Sequence, residues 1–259
     1  MRQQNQWNST LYLKFASERT EPAKDLVQRI ELELPSKIID LGCGPGNSTE
    51  VLFQRWPHAQ ITGVDNSPHM IQEAQTKHPN RTWDIADMKH WAASEPLSLI
   101  FSNAAIQWLD HHDLHLQHWM TSLEPGGALA FQIPSSTYAL VRQLIHQISH
   151  APKWNERLAS ARNSLTMHSP ALYYDILAPL SHRIDLWETE YFHVLPSHQA
   201  IIEWMQGTGL RPFLHPLTAT EQNEFLSELL QQVEMGYPLQ RDGTVLFPFR
   251  RMFAIAYRN

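Results

Sequence analysis

Short segments carrying apolar and β-branched residues recur through the first half of the chain, at 37–41, 60–64, 81–85, 97–101 and 128–133. Runs of this length bounded by Gly, Pro or Asp predict strands, and the β-branched run at 37–41 is that of a parallel strand buried on both faces. Between them the apolar positions change to helical spacing. Val51, Leu52 and Trp56 mark one side of a helix that stops at Pro57. Met70, Ile71 and Ala74 follow a Ser67 cap with Pro68 at the first helical position. Leu116, Trp119, Met120 and Leu123 fall at i, i+3, i+4 and i+7, and Pro125-Gly126-Gly127 then turns the chain into the next strand. Upstream, Leu11, Phe15, Ala23, Leu26, Val27 and Ile30 predict two short helical pieces across Trp7–Arg29, broken before Pro22, with Pro35 as the stop. Strands alternating with helices predict an α/β fold with a doubly wound, mostly parallel sheet.

Beyond Ile133 the rhythm breaks. Residues 135–180 read as mostly helical, with interruptions at Pro152 and Pro170, and Ile184–Val194 reads as a strand carrying Trp187, Tyr191 and His193. Ser197 caps a helix with Ile201, Ile202 and Met205 inward, which ends at Gly207-Thr208-Gly209. Thr218 and Glu221 form a capping box for another helix, striped by Leu226, Leu229, Leu230 and Val233. Val245–Tyr257 returns to strand. The segments 135–180 and 197–240 therefore read as helical insertions capping one domain of 1–259. Such variable additions to a rigid sheet are where specificity is built.

The stretch Asp40-Leu41-Gly42-Cys43-Gly44-Pro45-Gly46-Asn47 carries the first chemistry. Glycines opening a helix after a buried strand let a ligand lie against the main chain. Asn47, Ser48 and Thr49 offer caps for that helix. A dinucleotide turn, G-x-G-x-x-G, needs a third glycine where Asn47 stands, which argues against a nicotinamide-dependent oxidoreductase. Asp40 would repel pyrophosphate and suits a cation or ammonium instead. Asp65, at the end of the second strand and beside Asn66 and Ser67, is placed for ribose hydroxyls. Asp87 is positioned for the exocyclic amine of adenine, with Met70 and Met88 against its ring. Asn103 and Ala104 follow the fourth strand, where binding groups of such sheets gather.

Composition narrows the classes. With 42% hydrophobic residues in 259, the chain can fill a core. A net charge of −6, with 20 Lys+Arg against 26 Asp+Glu, provides no basic run for nucleic acid. One cysteine cannot form an internal disulfide, and no long apolar span marks a membrane helix. A cytoplasmic monomer is the expectation. Fifteen histidines are scattered without a convincing metal-ligand spacing, and the nearest group, His111, His112 and His115, reads as a solvated helix start.

The pattern D-x-G-x-G-x-G resembles motif I of class I S-adenosylmethionine-dependent methyltransferases, a Rossmann-like fold. More diagnostic are Trp7-Asn8, Leu11-Tyr12, Glu18-Arg19, Gln107-Trp108-Leu109, Tyr173-Tyr174-Asp175-Ile176-Leu177, the run from Pro196 to Trp204, and Thr208-Gly209-Leu210-Arg211-Pro212. Together with the glycine motif these resemble the bacterial trans-aconitate 2-methyltransferases over nearly the whole chain, Ala151–Ser169 excepted. The resemblance implies S-adenosyl-L-methionine as cofactor and methyl esterification of a carboxylate. A carboxylate is already ionised near neutrality, so no catalytic base is expected. Its companion carboxylates need cations or donors, for which Tyr12, Arg19, Trp108, Tyr191, His193, His198 and Arg211 are the candidates. Another small carboxylic acid, a malonyl group on a carrier protein, or a cofactor-binding protein without activity remain alternatives.

Overall fold

The structure, a computed structural model, describes residues 15–135 and 139–259. Helix α1 (Ala16–Arg29) is followed by β1 (Lys37–Leu41), α2 (Asn47–Arg55), β2 (Gln60–Asp65), α3 (Pro68–Lys77) and β3 (Thr82–Ile85). Next come β4 (Leu97–Asn103), α4 (His112–Thr121) and β5 (Leu123–Pro134). The remainder is α5 (Leu140–Ser149), α6 (Pro170–Leu177), β6 (Ser181–Leu195), α7 (His198–Gln206), the single turn α8 (Arg211–Leu214), α9 (Ala219–Gly236) and β7 (Val245–Arg258).

All these strands join one seven-stranded sheet in the order β3-β2-β1-β4-β5-β7-β6. Strands β1 to β5 are parallel to their neighbours, whereas β7 runs antiparallel between β5 and β6. From β1 the chain builds outward to β3 on one side, then returns to build β4 and β5 on the other. That reversal leaves a crevice over the carboxyl ends of β1 and β4. Apolar side chains cover both faces of the central strands, while the edge strand β3 stays largely exposed. Leu26, Val27, Val51 and Leu52 from α1 and α2 cover Ile38, Leu99 and Phe101 on one face. Leu116, Trp119 and Met120 from α4, with Tyr173, Ile176 and Leu177 from α6, cover Leu41, Ile100 and Phe131 on the other.

A third apolar cluster lies beyond the sheet proper. Val141, Leu144 and Ile145 of α5, Ile201, Ile202 and Trp204 of α7, and Phe225, Leu229 and Val233 of α9 pack together with Phe247 and Phe249 of β7. These helices form the cap, while α6 belongs to the sheet's own layer. The first insertion is thus divided, and 150–169 is mainly turns with one 3₁₀ turn rather than helix.

Several local expectations shift. Helix α1 runs through Pro22 without a break. Burying Ala23, Leu26, Val27 and Ile30 outweighs the hydrogen bond that the proline cannot donate. The first predicted piece, from Trp7, lies outside the described residues. Pro125-Gly126-Gly127 is a bulge inside β5, where the register jumps from Leu97↔Leu123 to Leu99↔Ala128. Leu123 consequently belongs to the strand, and the α4 stripe ends at Met120. Strand β4 also continues to Asn103, which pairs with Gln132.

Candidate functional site

A cavity of about 870 Å³ opens where the carboxyl ends of the central strands meet the cap. Its sheet-side wall includes Gly42, Gly44, Asp65, Asn66, Ser67, Met70, Asp87, Met88, Asn103 and Ala104. Most of the cofactor residues expected from sequence therefore converge on one surface. The backbone explains how. The N–H groups of Gly42 and Cys43 both donate to the Val64 carbonyl, at 2.8 and 3.0 Å, which pins the turn to the end of β2. The Gly44 N–H donates to Asp65 Oδ2 at 2.9 Å, and the Ser67 N–H to Oδ1 at 2.8 Å. One carboxylate thus joins the glycine turn to the start of α3, and its remaining lone pairs stay available to a ligand hydroxyl. Burial raises the Asp65 pKa, with the Ser67 and Gly44 amides opposing that shift.

The three glycines of the motif serve different needs. A Cβ on Gly44 (φ +54°) would meet nothing within 4 Å and would project from a cavity-lining position. A Cβ on Gly42 (φ +76°) would lie 2.2 Å from Ala105 Cβ, and one on Gly46 (φ +89°) 2.6 Å from the Trp83 ring. Gly44 leaves room for a ligand; Gly42 and Gly46 leave room for the protein itself. Gly46 does not line the cavity and instead stands at the amino end of α2 in the left-handed region.

Asp40 and Asn47 depart from their expected roles. Asp40 is fully buried away from the cavity surface, and its Oδ2 accepts from Ser48 Oγ at 2.7 Å and Thr49 Oγ1 at 2.6 Å. It ties β1 to the first turn of α2, and desolvation raises its pKa to about 6. Ser48 and Thr49 are thereby diverted from capping, Asn47 makes no cap bond, and Asn47 does not reach the cavity. The acidic and polar residues of the motif brace its shape from behind.

Arginines gather in the same cavity. Arg19 from α1, Arg142 from α5, Arg211 from α8 and Arg251 from β7 all line the cavity, interleaved with Trp108, Leu165, Trp204 and Phe249. Arg19 donates from Nη2 to the Trp204 carbonyl at 3.2 Å, and its guanidinium lies 4.7 Å from that ring's centroid. Arg251 donates from Nη1 to Gln132 Oε1 at 3.3 Å and lies 4.7 Å from the Phe249 centroid. Gln132 is buried opposite Phe253 in the β5–β7 ladder, so strand register itself holds this arginine. Burial lowers the pKa of Arg142 to about 10 and that of Arg211 in the same direction. Asn103 Oδ1 and Gln107 Oε1, on the cavity's rim of β4 and its following turn, are buried acceptors with no hydrogen-bond donor among the described residues. Unsatisfied acceptors at a cavity wall, an open Gly44 and a cavity-lining carboxylate at Asp65 with lone pairs to spare fit a nucleoside cofactor bearing an ammonium group.

Among the expected substrate residues, Arg19, Trp108 and Arg211 meet at the cavity. Tyr191, His193 and His198 do not line it. The Tyr191 hydroxyl donates to Asp25, which keeps it on the α1 side of the sheet. His193 sits behind the wall, its ring 4.5 Å from Trp204, and burial followed by the nearby charges of Arg251 and Arg19 lowers its pKa to about 4. His198 Nε2 bonds the Tyr237 carbonyl at 2.7 Å, fastening α7 to the end of α9. Tyr12 lies outside the described residues. The sequence reading missed Arg142 and Arg251, whose helix and strand carry no recognisable motif. The only available signal was a cation on an otherwise apolar segment.

Comparison with known proteins agrees with this geometry. A methyltransferase domain family model matches residues 38–127, the span holding the glycine turn and Asp65. The trans-aconitate 2-methyltransferase of Rhodopseudomonas palustris (strain BisA53) is 42% identical over 251 residues, covering 96% of this chain and 98% of its own. That of Escherichia coli O45:K1 is 45% identical over 258 residues, covering 98% of each. Among solved structures, the YcgJ protein of Bacillus subtilis superposes with a TM-score of 0.61 at 11% identity, over 92% of this chain and 99% of that one. Phosphoethanolamine N-methyltransferase 2 of Haemonchus contortus in complex with S-adenosyl-L-methionine gives 0.57 at 15% identity, over 92% and 53%. The solved structures share the fold, and the near full-length identities carry the assignment: this chain belongs to the trans-aconitate 2-methyltransferase family.

Proposed function

We propose that the protein transfers the methyl group of S-adenosyl-L-methionine to a carboxylate of trans-aconitate, releasing S-adenosylhomocysteine. The observation that carries this reading is one cavity lined both by Asp65 and Asp87, at the end of β2 and just after β3, and by four arginines, Arg19, Arg142, Arg211 and Arg251, brought from four other elements. A chain of net charge −6 that gathers four arginines in one cavity is suited to a polyanionic substrate. The names of the relatives support the same acid.

When bound, the cofactor supplies an electrophilic methyl group on a sulfonium. Everything else is the work of this chain. Gly44 and Asp65 are the residues suited to hold the nucleoside, with Met70 and Met88 against the base and Asn103, Ala104 and Gln107 near the amino acid portion. The arginines neutralise and orient the acid, and Trp108, Leu165, Trp204 and Phe249 limit water around it. Methyl transfer turns the reacting carboxylate and sulfonium into an uncharged ester and thioether, so a water-poor cavity favours it. Holding the attacking oxygen in line with the leaving group supplies an entropic advantage of several kcal/mol, up to about 10. No general base is required, because the acid arrives ionised.

Incubation with methyl-labelled cofactor and a panel of mono-, di- and tricarboxylates tests this directly. Base-labile label should appear on trans-aconitate at a kcat/KM above that for every monocarboxylate tested. Preferential labelling of a monocarboxylate, or of none of the acids, would reject the assignment.

A further inference from the structure

Arg142 differs from its neighbours in how its charge is met. Arg19 is engaged by the Trp204 carbonyl and ring, and Arg251 by Gln132 and Phe249. Arg142 faces the same cavity from the first turn of α5, and among the described residues no carboxylate pairs with it. The acids that share the cavity accept from backbone amides. Asp65 receives the Gly44 and Ser67 amides, and Asp87 the Lys89 amide. Arg142 is partly exposed at the cavity wall, and a partly desolvated guanidinium without a protein counter-ion gains from a ligand that provides one.

Nor does the helix explain the residue. A cation in the first turn opposes the helix dipole, and α5 is already held by Val141, Leu144, Ile145 and Ile148 in the cap cluster. A planar guanidinium matches a carboxylate with two parallel hydrogen bonds, which a lysine cannot reproduce. Because α5 belongs to the cap, this pairing also ties a charge on the substrate to the element lying over it.

We propose that Arg142 is a specificity-determining residue that pairs with one of the two substrate carboxylates that do not receive the methyl group. The inference rests on the tricarboxylate reading above and adds the residue that separates tricarboxylates from dicarboxylates.

Calorimetry on the S-adenosylhomocysteine complex tests it without requiring turnover. The ligands are trans-aconitate and its three single-deletion analogues, mesaconate, itaconate and (Z)-glutaconate, each lacking one carboxylate. Arg142→Met should weaken trans-aconitate by about 10- to 100-fold, as expected for loss of a charge-assisted pair. One analogue, the one without Arg142's partner, should bind weakly to the wild type and change less than about threefold in the variant. Arg142→Lys should recover part of the loss, and S-adenosylhomocysteine affinity should stay within about twofold in both variants. Unchanged trans-aconitate affinity in Arg142→Met would overturn the assignment. So would an equal loss across all four acids or an equal loss of S-adenosylhomocysteine. A wild type that binds none of the acids would reject the tricarboxylate reading itself, whereas binding by the wild type with an unaffected variant rejects Arg142 alone.

Discussion

Replacing Asp65 is the sharpest test, because its carboxylate braces the glycine turn and lines the cavity, where we propose that it meets the cofactor's ribose. Each oxygen accepts one backbone amide, from Gly44 at 2.9 Å and Ser67 at 2.8 Å. Ala removes both bonds and every contact to ribose. Asn keeps one acceptor but turns an N–H group toward the other amide, so one bond is lost. A hydrogen bond to a charged group contributes about 1.5 to 3 kcal/mol, so losing the ribose contact should raise the dissociation constant of S-adenosylhomocysteine roughly 10- to 150-fold. Thermal melts without ligand should fall in the order wild type, Asn, Ala, which measures the bracing of the turn separately. Calorimetry with S-adenosylhomocysteine and an analogue lacking the ribose hydroxyls separates the two duties. The analogue should bind weakly to the wild type and respond little to either substitution. Equal losses for both ligands would mean that Asp65 acts only through the turn, and unchanged affinity would refute the ribose role altogether.

The glycines and Asp40 give contrasting tests. Gly44→Val should abolish measurable cofactor binding, since a Cβ there meets no protein atom within 4 Å at a cavity-lining position, and should lower the melting temperature through its φ of +54° while circular dichroism keeps the native fold; normal affinity in this variant would place the ligand elsewhere. Gly42→Ala, whose Cβ would lie 2.2 Å from Ala105, should instead lower the melting temperature, and an undisturbed melt would refute the packing argument. Asp40 titrates at about 6 in the fold against 3.8 ordinarily, so folding takes up a proton between those values. Wild-type stability should therefore fall by roughly 3 kcal/mol from this group as pH rises from about 4 through 6. Asp40→Asn lacks that dependence. Urea unfolding across this window should show the variant gaining on the wild type toward neutral pH, and a constant gap would disprove the buried-carboxylate account.

Local patterning determined the parts of this protein in which a short segment controls its own conformation. A short, nearly continuous apolar run such as Leu97–Phe101 fits a strand covered on both faces, and glycines between Leu41 and Asn47 permit backbone angles closed to other residues. Ser67 with Pro68, and Thr218 with Glu221, mark helix starts because capping is a contact across three or four residues. The strand ends follow from the same logic, so Asp65, Asp87, Met88 and Asn103 are legible as neighbours in the sequence alone. Tertiary structure decided what no local pattern contains. Asp40 turns away from the cavity because Ser48 and Thr49 come within reach of it once α2 is formed. Tyr191 and His193 share a strand and a face, yet the first is taken by Asp25 and the second sealed behind Trp204. Pro22 remains helical because packing beneath α1 exceeds the cost of one missing bond. The arginine wall is assembled from α1, α5, α8 and β7, elements far apart in sequence, and a charge distribution created by long-range packing leaves no periodicity to read along the chain.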